Sequence, residues 1–127
     1  MLDRFRQNPP ADPMTVDAIA AELPDDYKDF LRRSNGGEGF LDNGAYAVLW
    51  KAEEIVPFNA GYEAPKYVPE ALFFGPNGGG EGYAFDLRKR PFGIVQLPFI
   101  GMAMKEAWFL TESFASFLNG SWVVGEE

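Results

Sequence analysis

The chain has neither cysteine nor histidine. Without cysteine there is no disulfide, no thiolate nucleophile and no zinc–sulfur site, so the staples of small secreted domains are missing and a cytoplasmic location fits best. Without histidine, serine–histidine and cysteine–histidine catalysis are excluded, together with the commonest metal ligand and the usual general base near neutral pH. Long apolar runs are missing too: neither Met1 to Pro10 nor any later segment has signal-peptide or membrane-spanning length, and a soluble, unprocessed chain is expected. Positive charge is scarce. Eleven Lys and Arg against nineteen Asp and Glu leave a net charge of −8. That charge repels nucleic acid and anionic membranes, and it steers a basic protein inward if the acids share a face. These absences point away from an enzyme, a cofactor, a metal, nucleic acid or a membrane. They point towards a protein partner.

What is present suits one compact unit. A globular chain of 127 residues buries about two thirds of its unfolded surface, enough for a single core. Aromatic residues are 16% of the chain and twelve of them are Phe, so the core should be built from rings. The clearest local signal is Leu23 to Gly37. Pro24 suits a first helical turn, Asp25 and Asp26 sit at the positive end of the helix dipole, and Lys28, Arg32 and Arg33 lie towards the negative end. Tyr27, Phe30 and Leu31 share the buried face, and Asn35, Gly36 and Gly37 can take the left-handed conformation that stops a helix.

Along the chain, residues 1–13 read as an extended, proline-bearing arm, 14–120 as the domain and 121–127 as a tail, with Trp122 tucked against the body. Thr15 is a candidate N-cap for a short helix carrying Val16, Ile19 and Ala20. Glu38 to Gly44 is polar and glycine-punctuated, Tyr46–Trp50 reads as a buried strand and Ala52–Asn59 as a short helix, followed by a loop with Gly61, Pro65 and Pro69. Ala71–Gly75, Gly82–Leu87 and Gly93–Leu97 read as strands, joined by a glycine turn at 78–80 and by Arg88-Lys89-Arg90-Pro91. Residues 99–110 are apolar and fit either a strand or irregular packing. Thr111 is the expected cap of a last helix with Phe114, Phe117 and Leu118 inward and Asn119-Gly120 as its stop. Strands in the middle and helices at both ends predict an α+β domain with a largely antiparallel central sheet.

Several chemical motifs fail on inspection. Pro76 to Gly82 is glycine-rich like a phosphate loop, but no Lys-Ser or Lys-Thr follows and Glu81 would repel phosphate, so it reads as a hairpin turn. Glu81 and Asp86 lack a third convergent metal ligand. Arg88-Lys89-Arg90 reads as a solvated turn in so acidic a chain. Trp50 and Trp108 fit either core packing or an exposed interface anchor.

Five segments in order resemble the SUKH superfamily, the Smi/Knr-like proteins: Leu23 to Gly37; Tyr46 to Trp50; Glu53, Glu54, Ile55 and Asn59; Phe74-Gly75 with the glycine turn and Tyr83 to Asp86; and Ser113 to Leu118. The first segment departs from the family pattern, running Ala20-Ala21-Glu22-Leu23 where members often carry a longer helix. The resemblance implies an α+β fold and a protein-binding role. Bacterial members mostly act as immunity proteins against toxins, many of them nucleases, and eukaryotic relatives regulate cell-wall synthesis through contacts with endogenous enzymes or signalling proteins. On that basis Glu38, Asp42, Glu53, Glu54 and Glu63, between Gly37 and Pro65, are the candidate partner-binding residues, placed to meet Lys and Arg of a basic toxin.

Overall fold

A computed structural model describes residues 4–124; residues 1–3 of the arm and 125–127 of the tail lie outside the described residues. The chain opens with β1 (Phe5–Gln7), α1 (Pro13–Asp17), α2 (Asp25–Arg33), β2 (Gly37–Phe40) and β3 (Tyr46–Leu49). A 3-10 turn at Ala52–Glu54 leads into α3 (Ile55–Gly61) and α4 (Ala64–Tyr67). Then come β4 (Ala71–Pro76), β5 (Glu81–Asp86), β6 (Gly93–Pro98), a 3-10 turn at Met104–Glu106, β7 (Trp108–Thr111) and α5 (Phe114–Leu118). This is the expected α+β fold. Its strands divide into two antiparallel sheets, ordered β1-β2-β3 and β4-β5-β6-β7.

The sheets meet where β3 runs into β4. The Trp50 backbone N–H donates to the Phe74 carbonyl at 3.0 Å, and Gly75 lies so close to β3 that a Cβ there would sit 2.1 Å from the Val48 carbonyl oxygen. Only glycine lets the two backbones approach this far.

Helix α2 forms as its grammar dictates, with Asp25 and Asp26 in its first turn, Arg32 and Arg33 in its last, and Tyr27, Phe30 and Leu31 buried. Those side chains meet α5 and the larger sheet in one ring cluster. Tyr27 packs on Phe85 at 5.0 Å and on Phe114 at 4.8 Å, and Phe74 packs on Phe85 at 4.7 Å and on Phe117 at 5.2 Å. The Tyr27 hydroxyl is buried there without a hydrogen-bond partner, and desolvation pushes its pKa up. Trp122 joins the cluster by stacking on Phe117 and donating its indole N–H to the Phe117 carbonyl at 2.9 Å.

Local boundaries differ from the expectations in instructive ways. The cap of α1 is Asp12, which accepts from the Met14 N–H, and not Thr15; Pro13 directly after it occupies the first helical position, where a missing N–H costs nothing. The cap of α5 is Ser113, accepting from the Ser116 N–H, because Thr111 still belongs to β7. Pro24 caps α2 from outside the helix, and Ser34 ends it in an extended conformation, with Gly36 alone of the expected trio well inside the left-handed region at φ +80°. The polar, glycine-punctuated stretch from Gly37 begins with β2, and the segment read as a loop after Gly61 contains α4. The N-terminal lead-in pairs with β2 through β1, and the Asn8, Ala11 and Asn35 N–H groups bond across it to Gly36, Leu31 and Pro9.

Candidate partner-binding surface

Segment 55–67 is built backwards for a surface helix pair. Ile55 and Asn59 are the buried residues of α3. Its exposed side carries Val56 and Phe58, each 40% exposed, and Tyr62 and Tyr67 continue the apolar display at 44% and 51%. No charged residue lies within α3. Side chains of these types normally go inside, and an exposed group of them marks a contact surface.

A packed aromatic framework holds Phe58 and Tyr62 in place. Trp50 is buried and meets Phe58 edge-on at 5.1 Å, and the Tyr62 ring lies between Trp50, at 6.1 Å and 13°, and Phe99, at 4.2 Å and 20°. Phe99 rests in turn on Phe73. Below them, the Asn59 side chain brackets the edge of β4: its amide donates to the Phe73 carbonyl at 2.9 Å and its oxygen accepts the Phe73 N–H at 2.9 Å, while the amide also reaches the Ile55 carbonyl at 2.7 Å. One side chain thus fixes α3 to β4 and satisfies backbone groups that burial would otherwise orphan.

Three of the five candidate carboxylates flank this face. Glu53 and Glu54 lie in the 3-10 turn just before α3, and Glu63 lies between α3 and α4. Glu54 accepts from the Lys51 N–H at 2.9 Å. Glu53 accepts from the Asn35 amide at 3.0 Å, and this bond holds its carboxyl below the usual glutamate value. Asn35 also accepts the Ala52 N–H at 2.7 Å, so the helix-stop asparagine positions the entry to the aromatic face. Glu63 has φ +63° and its carbonyl accepts the first α4 hydrogen bonds.

The other two acids lie elsewhere. Glu38 faces Arg6 across the β1–β2 pair and accepts the Tyr46 hydroxyl, which raises the tyrosine pKa. It borders a groove with Arg4, Arg6 and Phe40. Asp42 borders a different groove, of about 330 Å³, between α2 and α5, where Asp26, Asp29 and Arg33 rim a floor of Phe30, Phe114 and Leu118. There Asp26 accepts the Ala115 N–H at 3.0 Å and so ties the two helices together.

The remaining motifs are structural. The Asn77 side chain accepts the Gly79 N–H at 2.8 Å and the Glu81 N–H at 3.2 Å, so the glycine turn satisfies its own amides. Arg88 grips Asp86 at 2.8 Å and Arg90 pairs with Glu22, so carboxylates within the chain engage two of the three cations of the basic run. Among the described residues no group of three or more Asp and Glu could hold a metal ion, and no helix is long and apolar enough to cross a membrane. Trp50 is core and Trp108 is exposed. The α3 face itself escaped the sequence reading, because Phe58 there is equally compatible with a core position. Its usable signal is the run Ile-Val-Pro-Phe-Asn-Ala-Gly, which offers no polar stripe to face water.

No curated protein matches the chain at a significant level. The family model for SMI1 / KNR4 (SUKH-1) matches residues 17–120, from the end of α1 to the turn after α5, and the chain belongs to that family.

Proposed function

We propose that this chain is a protein-binding module of the immunity type, which neutralises a basic toxin of the nuclease class by covering part of its surface. Family membership supports an immunity or regulatory protein-binding role. The observation that carries the reading further is the aromatic face of α3 and α4, held by Trp50 and flanked by Glu53, Glu54 and Glu63. Binding hot spots are typically aromatic anchors in rigid surroundings, and ordering them in advance removes much of the entropy cost of association. The carboxylates supply the charge that attracts Lys and Arg of a basic partner and sets the register of contact. No step of chemistry is needed, since occlusion alone silences an active cleft.

Co-expression with a toxin from a neighbouring gene is the test. The expected outcome is survival of the host and a single complex on gel filtration, both lost in Phe58→Ala/Tyr62→Ala. Cell death with unbound proteins on gel filtration would sink the proposal.

A further inference from the structure

Asparagine followed by glycine is the step at which a chain can most readily close on its own side chain, because no Cβ on the next residue hinders attack by its backbone nitrogen. This chain has four such steps: Asn35-Gly36, Asn43-Gly44, Asn77-Gly78 and Asn119-Gly120. The fold treats three of them alike. The N–H of Gly36 donates to the Ser34 carbonyl at 2.7 Å, that of Gly44 to the Leu41 carbonyl at 2.9 Å and that of Gly120 to the Phe117 carbonyl at 3.1 Å. Each of these bonds must break before the nitrogen can react. The Gly78 N–H has no acceptor among the described residues, and Gly78, Gly79 and Gly80 are all exposed.

The electrophile is prepared at the same step. Asn77 Oδ1 accepts two backbone N–H groups, from Gly79 at 2.8 Å and from Glu81 at 3.2 Å. Two such donors polarise the amide carbonyl and stabilise the negative charge that gathers on its oxygen, as the donors of an oxyanion hole do in acyl transfer. We infer that Asn77 is a site of spontaneous deamidation, with water as the only co-reactant. The Gly78 nitrogen loses its proton to solvent and bonds to Asn77 Cγ, and the carbonyl electron pair moves onto Oδ1. Return of that pair breaks the Cγ–Nδ2 bond, and Nδ2 takes a proton from water and leaves as ammonia. The succinimide ring that remains is opened by water at either carbonyl, giving aspartate or isoaspartate with no oxidation or reduction. The exchange changes the β4–β5 hairpin. Nδ2, which donates to Glu81 at 3.3 Å, gives way to an oxygen, so a new carboxylate faces Glu81 beside the Gln96 amide that Glu81 accepts at 3.0 Å.

Peptide mapping by mass spectrometry of the full chain, aged in mildly alkaline buffer, tests it. In the folded protein Asn77 is expected to convert at least about fivefold faster than Asn35, Asn43 or Asn119, the rate equivalent of one backbone hydrogen bond that need not break. In urea, where all four steps lose their native bonds, the other three are expected to speed up and Asn77 to convert no faster than it does when folded. Asn77→Gln is expected to remove the first mass change with an unchanged circular dichroism spectrum, since glutamine closes its larger ring more slowly. First conversion at another asparagine, equal rates at the four steps of the folded protein, or an Asn77 rate that rises on unfolding each overturns the inference. So does a first mass change that persists in Asn77→Gln.

Discussion

Asn59 fastens α3 to β4 with three hydrogen bonds. Its loss strands the Phe73 N–H and carbonyl at a buried strand edge, and buried unsatisfied groups are costly. Asn59→Ala should lower stability by about 3 kcal/mol in urea unfolding. Tyr27 is the converse case: its hydroxyl is buried and unpartnered, so Tyr27→Phe should raise stability by about 1 kcal/mol, read from the same titration. Asp86 supplies a pH effect. The Arg88 hydrogen bond holds its carboxyl below the usual aspartate value, so the folded state gives up this proton more readily than the unfolded chain does. The stabilisation is therefore complete above the ordinary aspartate pKa and disappears as pH falls through the depressed value. Unfolding of wild type and Asp86→Asn followed across that range should show their difference shrinking as the solution is acidified.

At the scale of elements, the junction of β3 and β4 matters most, because it welds two short sheets into one support for the aromatic face. Gly75→Ala puts a methyl into the Val48 carbonyl, and overpacking at a backbone contact should cost about 2 kcal/mol. Hydrogen exchange should show the Trp50 amide losing protection first. How much of this was legible in the sequence depends on what each element advertises. Helix α2 announced itself because its charges, caps and apolar spacing all agree. Strand β2 did not, since its buried positions are Gly37 and Gly39 and leave no hydrophobic alternation to read. Strand β7 was hidden for the opposite reason: Trp108 and Phe109 are both exposed, so the apolar run 99–110 has no inside-outside period. The caps were misplaced where two suitable residues stand close together, Asp12 with Thr15 and Thr111 with Ser113. In both pairs the backbone decides, through Pro13 at the helix start and through β7 extending to Thr111.

For the whole molecule, the excess of acid becomes meaningful only through its arrangement. The five candidate carboxylates fall at three places: Glu53, Glu54 and Glu63 flank the α3–α4 face, Glu38 faces Arg6, and Asp42 lies over the α2–α5 groove. Sequence position alone grouped them because they share one stretch of chain, and the fold separates them. A folded body carrying aromatic anchors between acidic flanks is suited to holding another protein. Phe58 and Tyr62 are the proposed anchors. Titration calorimetry of the complex with the proposed toxin partner, for wild type and for Phe58→Ala/Tyr62→Ala, tests this through the dissociation constant. At least about thirtyfold weaker binding is expected in the variant, the scale of losing one hot spot, measured where circular dichroism shows both proteins folded. Equal affinity in the two proteins would contradict it.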